Sequence, residues 1–127
     1  MNLYHELLLD HYKYPRHKGM LKNPDFSSGQ YNPSCGDRVA FQGKVTDGTI
    51  SQIAFEGSGC VISLATASLL SEFILNKSVS FAQHLAPADI LTLIGIELGP
   101  TRLKCALLPL EAIQEGISAY QAAQKGE

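Results

Sequence analysis

The chain has 127 residues, of which 45% are hydrophobic and 17% are charged, and its net charge is −2. This size suits one domain with a real core, and the near-balanced charge gives no reason to expect nucleic-acid binding, which usually shows as a basic patch. No apolar run approaches the roughly 20 residues of a membrane span, and acidic residues among the first apolar ones argue against a signal peptide, so we expect a cytoplasmic location.

The N-terminal third of the chain predicts a helix followed by a loop. Residues 3–14 have helical apolar spacing, and Pro15 and Gly19 end the pattern. The apolar face of this helix comprises Leu3, Tyr4, Leu7, Leu8 and Tyr12. Residues 15–37 are rich in Pro, Gly, Ser and Asn, which predicts an extended irregular loop.

The middle of the chain predicts a β-hairpin over residues 39–56. Apolar residues alternate on both sides of Asp47-Gly48, and an Asp-Gly dipeptide between two such runs is a strong hairpin signal. The sequence Gly57-Ser-Gly-Cys60 then ends the strand pattern.

Helical spacing dominates the rest of the chain. We predict helices over residues 61–76, 87–95 and 101–124, with Pro109 kinking or restarting the last one. No repeat or linker marks a second domain. We therefore predict an α+β fold in a single domain over residues 1–127, with a small antiparallel three-stranded sheet and helices packed on it.

The three cysteines lie far apart, each near the end of a predicted element. Cys35 belongs to the loop sequence "NPSCGD", two residues before Asp37; Cys60 joins the hairpin to a helix, and Cys105 lies in the first turns of the last helix. An odd number of cysteines in a reducing compartment favours thiols or metal ligands over disulfides. A helix N-terminus also favours the thiolate, which is the form that binds metal.

Three thiolates and the Asp37 carboxylate would suit a tetrahedral zinc site or an incomplete ligand set for an iron–sulfur cluster. Taken alone, the residues leave alternatives open. Cys35 and Asp37 also fit a solvated turn, while Cys60 and Cys105 also fit buried core positions. The chain has no CxxC pair, and its histidines (His5, His11, His17 and His84) have no metal-like spacing to a cysteine, so exposed or capping roles are expected for them.

Three segments resemble the cysteine motifs of the IscU/SufU/NifU N-terminal family: "NPSCGD" (32–37), "GSGCVISLATASLLSE" (57–72) and "RLKCALLPLEAIQEGI" (102–117). The segment "YHELLLDHYKYPRHKG" (4–19) is also similar to that family's N-terminal segment. The resemblance implies that Cys35, Asp37, Cys60 and Cys105 form one cluster that binds zinc, iron or a transient [2Fe-2S] cluster. It further implies a cysteine desulfurase as partner, and downstream apo iron–sulfur proteins or carriers as recipients.

Two sequence features point to different branches of that family. IscU members carry a histidine before the third cysteine, whereas Lys104 stands here, as in SufU-like members. The 44 residues 61–104 between Cys60 and Cys105 are the shorter spacing of IscU, because SufU-like chains carry an insertion there. The sequence Leu98-Gly-Pro-Thr-Arg102 also departs from the Leu-Pro-Pro-Val-Lys motif of IscU members, which argues against docking of the dedicated Hsp70-type chaperone.

We therefore expect a scaffold or sulfur acceptor rather than an independent enzyme. The accepting thiol is predicted to be Cys35, because it lies in a loop, and Cys105 is the rival. The alternatives are a SufU-type zinc-dependent sulfurtransferase and a structural zinc-binding module without sulfur transfer. A cysteine-nucleophile enzyme would need a base beside a thiol, and no histidine is placed to supply one.

Overall fold

A computed structural model describes residues 3–33 and 36–125 and has the predicted α+β architecture. Three antiparallel strands form one sheet in the order β1-β2-β3, and the helices pack on it. In chain order the elements are α1 Leu3–Lys13, β1 Phe26–Asn32, β2 Asp37–Thr46, β3 Thr49–Ser58, α2 Val61–Ile74, α3 Val79–Gln83, α4 Pro87–Ile94 and α5 Pro100–Lys125. Among these described residues, no helix is long and apolar enough to cross a membrane.

The predicted hairpin is confirmed as β2 and β3. Asp47 and Gly48 form its turn, and both have positive φ, 52° and 75°. Two consecutive positive φ angles are what a tight hairpin turn of matching twist requires, and Asp-Gly is among the dipeptides that tolerate them. The alternating residues Val39 and Phe41 point into the core and are fully buried.

The prediction of an irregular loop over residues 15–37 is wrong for β1. Residues 26–32 form a strand although their sequence, "FSSGQYN", is poor in residues that favour strands. Within β1 only Phe26 is buried, and the sequence lacks the alternation of apolar and polar residues that predicts a strand. It forms because it pairs with β2 from Phe26↔Gly43 to Asn32↔Asp37, and because the Ser28 hydroxyl donates to the carbonyl of Ala112 in α5.

The predicted helices are confirmed, with ends that shift by one or two residues. Pro109 does not restart the last helix, because α5 is continuous from Pro100 to Lys125. The short helix α3 was not predicted; the Ser78 hydroxyl caps it by accepting the N–H of Phe81 at 3.0 Å. In α1 the predicted apolar face is mostly exposed, and of its members only Leu8 is buried.

The core consists of two clusters. The larger lies between the sheet and helices α2 and α5, around Phe41, Phe55 and Leu70. The smaller joins α1, α2, α4 and α5 and includes Leu8, Ile62, Leu69, Ile94 and Cys105. At the edge of this smaller cluster, where β2 and α2 both begin, three of the predicted site residues meet: Asp37, Cys60 and Cys105.

Candidate metal centre

The antiparallel hairpin brings Asp37 next to Cys60. Asp37 is the first residue of β2, and Cys60 is the N-cap of α2, separated from the end of β3 only by Gly59. Because the pairing Arg38↔Ser58 closes the end of the hairpin opposite its turn, the residues just beyond that pair are neighbours in space. Cys105 arrives from the second turn of α5, which packs against α2.

Asp37, Cys60 and Cys105 form one cluster. One potential ligand atom from each lies within 4.8 Å of the other two. The Cys60 thiol donates to Asp37 Oδ2 at 3.0 Å, and the Cys60 backbone N–H donates to Oδ1 at 3.0 Å. Cys35 lies outside the described residues, so its place in this cluster stays a prediction.

Gly59 permits this close approach. Its φ is 142°, a conformation that residues with a side chain rarely adopt. A Cβ atom added at this position would lie 2.2 Å from Asp37 Oδ1 and 2.9 Å from the Asp37 Cα atom. The glycine flanking Cys60 therefore leaves room for the carboxylate that contacts the thiol.

The Asp37 side chain is held as a buried carboxylate. The residue is only 2% exposed. Burial raises its pKa, but hydrogen bonds from the side chains of Cys60, Ser63 and Cys105 and from the Cys60 backbone outweigh burial and lower the pKa to about 2. Asp37 is therefore an anion at neutral pH and offers oxygen lone pairs to a cation.

Ser63 is a further residue of the site that was not predicted from the sequence. Its hydroxyl donates to Asp37 Oδ2 at 2.6 Å and to the Cys105 carbonyl oxygen at 3.1 Å, and the side chain is fully buried. The available signal was its position three residues after Cys60, which places both on one face of α2. A serine within an apolar helix carries no metal-binding signature, so that spacing did not single it out.

A cavity of about 540 Å³ is lined by Cys60, Cys105, His5 and Arg102 among mostly apolar side chains. Arg102 thus shares the site face of α5 with Cys105, as their spacing suggests. Cys60 is half-buried, whereas Cys105 is 3% exposed. Lys104 is exposed, and it is not among the residues that line the cavity.

The histidines are not part of the cluster among the described residues. His84 is exposed and bonds to the Ser80 carbonyl in α3. The expectation of an exposed or capping role is wrong for His11, which is 2% exposed. His11 faces α2 from α1, with Nδ1 2.7 Å from the Ser68 hydroxyl oxygen and Nε2 3.4 Å from Glu72 Oε1.

The donor set fits zinc or iron. Two thiols and a carboxylate are ligands that both metals accept, and one further thiol would complete a tetrahedron. Bonds of about 2.3 Å to sulfur and about 2.0 Å to oxygen place neighbouring ligand atoms of a tetrahedron roughly 3.5 Å apart. The separations in the cluster, all within 4.8 Å, need only small side-chain adjustments to reach that spacing.

Comparisons with known proteins agree with this geometry. Residues 3–127 match the family described as the NifU-like N-terminal domain. The chain belongs to this family. The predicted family membership is therefore confirmed, and nearly the whole chain carries it.

Two relatives of this NifU-like domain carry informative names. In an alignment of 133 residues, this chain is 33% identical to the zinc-dependent sulfurtransferase SufU of Bacillus subtilis strain 168. The alignment covers 91% of this chain and 90% of that protein. This chain is 34% identical over 128 residues to the iron–sulfur cluster assembly scaffold protein IscU of Escherichia coli K12, covering 98% of both chains. The N-terminal part of a NifU-like protein from Brucella abortus shares the fold, with a TM-score of 0.74 and 20% identity over 94% of this chain and 95% of that one.

Proposed function

We propose that this NifU-like domain accepts persulfide sulfur from a cysteine desulfurase. In this proposal Cys35, Asp37, Cys60 and Cys105 hold zinc, iron or a transient [2Fe-2S] cluster. The observation that carries the proposal is the convergence of one buried carboxylate and two thiols within 4.8 Å. The names of the two relatives, a zinc-dependent sulfurtransferase and a cluster assembly scaffold, supply the two chemistries that such a site serves.

The described ligands differ in their protonation before a metal binds. Asp37 is already ionised, so it binds a cation without losing a proton. The Cys60 thiol donates a hydrogen bond to Asp37, and the thiol proton must leave when the sulfur becomes a ligand. A divalent metal in the cluster would supply the positive charge that keeps the thiols as thiolates.

The sulfur-transfer step is a thiol–persulfide exchange. The accepting thiolate attacks the outer sulfur of the desulfurase persulfide and forms a new S–S bond. The original S–S bond breaks, and its electron pair leaves with the desulfurase cysteine as a thiolate. One thiolate and one persulfide are present before and after the step, so no external oxidant or reductant is needed.

We propose Cys35 as the accepting thiol. The acceptor has to reach a reactive cysteine in another protein, and Cys105 is only 3% exposed. Cys60 is half-buried and donates to Asp37. The low exposure of the rival Cys105 therefore supports Cys35, and downstream apo iron–sulfur proteins or carriers would receive the sulfur or the cluster.

A structural zinc module is the weaker alternative. The larger core cluster packs the sheet against α2 and α5 around Phe41 and Leu70, and neither Cys60 nor Cys105 belongs to it. A fold with such a core does not depend on a metal in the way that a very small zinc domain does. Metal removal is expected to empty the site without unfolding the chain.

The test combines metal analysis with sulfur mapping. The protein is purified without oxygen, its metal and acid-labile sulfide are measured, and desulfurase activity is assayed with and without it. Zinc affinity is then compared for Cys35→Ser, Cys60→Ser and Cys105→Ser, with Lys104→Ala as the control beside the site. Each cysteine variant should bind zinc far more weakly, while the lysine variant should match wild type; wild-type affinity in all three cysteine variants would overturn the shared site.

A second measurement identifies the acceptor. The protein is mixed with persulfide-loaded desulfurase, and the extra sulfur is located by mass spectrometry. Extra sulfur on Cys35, and its loss in Cys35→Ser, is the expected result. Persulfide on Cys105 that is undiminished in Cys35→Ser would refute the role of Cys35 and leave sulfur acceptance standing.

A further inference from the structure

Pro109 removes a hydrogen bond from α5 at the site. In an α-helix the N–H of residue 109 would donate to the carbonyl of residue 105, four positions earlier. Proline has no N–H, and yet α5 continues through this position. The carbonyl concerned belongs to Cys105, whose side chain is part of the cluster.

Ser63 supplies a donor to that carbonyl from another helix. Its hydroxyl lies 3.1 Å from the Cys105 carbonyl oxygen and, on the other side, 2.6 Å from Asp37 Oδ2. The hydroxyl is fully buried, so water does not compete for it. It therefore links α2, α5 and the start of β2 at the position where the ligand atoms meet.

We propose that Ser63 is a positioning residue for the Asp37 carboxylate, and that the Cys105 carbonyl, to which Pro109 cannot donate within the helix, holds Ser63 in place. The inference rests on the proposed metal-binding function. A hydroxyl has a single proton, and here that proton has two acceptors. The Cys105 carbonyl thereby keeps the hydroxyl beside Asp37 Oδ2, while the remaining lone pairs of the carboxylate can bind a cation. Groups that hydrogen-bond a ligating carboxylate fix its orientation and thereby strengthen metal binding.

The pairing of Ser63 with Pro109 makes the proposal testable by a double-mutant cycle. Ser63→Ala removes the hydroxyl from both Asp37 and Cys105. Pro109→Ala gives residue 109 an N–H, which can donate to the Cys105 carbonyl along the helix. Ser71→Ala is the matched control, because Ser71 is a fully buried serine of the same helix whose hydroxyl bonds the Ser68 carbonyl at 2.7 Å and the Arg16 carbonyl at 3.4 Å instead.

Two quantities are measured on these variants and on the double variant. Zinc affinity is obtained by competition with a chromophoric chelator, and the urea midpoint is obtained on metal-free protein. Ser63→Ala should weaken zinc binding by about 10- to 100-fold in both the wild-type and the Pro109→Ala background, as loss of such supporting groups usually does. Ser71→Ala should change zinc affinity by less than about twofold.

The urea midpoints separate positioning from packing. Ser63→Ala should lower the midpoint more in the wild-type background than in the Pro109→Ala background, where the new N–H replaces the lost donor. Equal losses would overturn the pairing of Ser63 with Pro109, and unchanged zinc affinity in Ser63→Ala would overturn its positioning of Asp37. If Ser63→Ala alone does not fold, the double variant compared with Pro109→Ala gives the same zinc test.

Failure of the proposed function has a distinct signature. Wild-type protein that binds neither zinc nor iron would refute that function. The cycle of urea midpoints uses metal-free protein and would still show whether Ser63 and Pro109 are paired.

Discussion

Replacing Gly59 by alanine, with Gly19→Ala as a comparison, separates two costs of a side chain at this position: backbone strain and the clash with the Asp37 carboxylate. Gly59 and Gly19 have nearly the same φ, 142° and 144°. A Cβ atom at Gly19 would have no neighbour within 4 Å, whereas one at Gly59 would lie 2.2 Å from Asp37 Oδ1. Gly19→Ala is therefore a matched control for the cost of placing a side chain at such a φ.

The expected magnitudes follow from these contacts. Both variants should lose about 1–3 kcal/mol of stability, because a non-glycine residue in a sparsely populated backbone region is strained by that amount. Gly59→Ala should lose about 2 kcal/mol more, which is roughly one hydrogen bond to a charged group. Rotating the carboxylate does not relieve the clash fully, because the added Cβ would also lie 2.9 Å from the Asp37 Cα atom.

Urea unfolding of metal-free protein and zinc competition measure the two effects. Gly19→Ala should lose stability and keep its zinc affinity, while Gly59→Ala should lose both. Equal stability losses, together with wild-type zinc affinity in Gly59→Ala, would refute the inference that Gly59 makes room for the Asp37 carboxylate.

Three further predictions concern the ligand, the buried histidine and the metal. Asp37→Ala should weaken zinc binding, as Gly59→Ala does, but should slow the transfer of an assembled cluster while the protein stays folded, because the carboxylate is the hardest and most exchangeable ligand for cluster iron; faster cluster transfer to an apo-protein would contradict this. Burial and Arg16 lower the pKa of His11, so stability should fall as pH drops below 6.5 through the lower folded value, and His11→Gln should flatten urea midpoints measured across that range. Chelation of the metal should leave the far-ultraviolet circular dichroism spectrum unchanged, and a coil spectrum would favour the structural zinc module.

The sequence alone determined the parts of the fold that depend on neighbours along the chain. The turn at Asp47-Gly48 is a local backbone preference, and helical apolar spacing is legible within single segments, so the hairpin and the long helices were predicted. The placement of Cys60 and Cys105 at the beginnings of helices followed from those elements. Together with the motif around Cys35, they were sufficient to predict the family.

Tertiary structure decided whatever depends on residues far apart in sequence. Strand β1 forms because it pairs with β2 and hydrogen-bonds α5 through Ser28, although its own composition does not favour a strand. His11 is buried because α1 lies on α2, where Ser68 bonds its ring. Apolar periodicity within α1 predicts a helix but does not say which polar residue will face another helix.

The interior of the site was decided in the same way. Ser63 is 26 residues from Asp37 and 42 from Cys105, and one hydroxyl contacts both only after the hairpin has closed and α5 has packed on α2. In the sequence, Pro109 predicts a kink or a restart of the last helix. In the fold, Pro109 lacks the N–H that would bond the Cys105 carbonyl within α5, and Ser63 of α2 donates to that carbonyl instead. Hydrogen-bond partners depend on distance in space and not on separation along the chain.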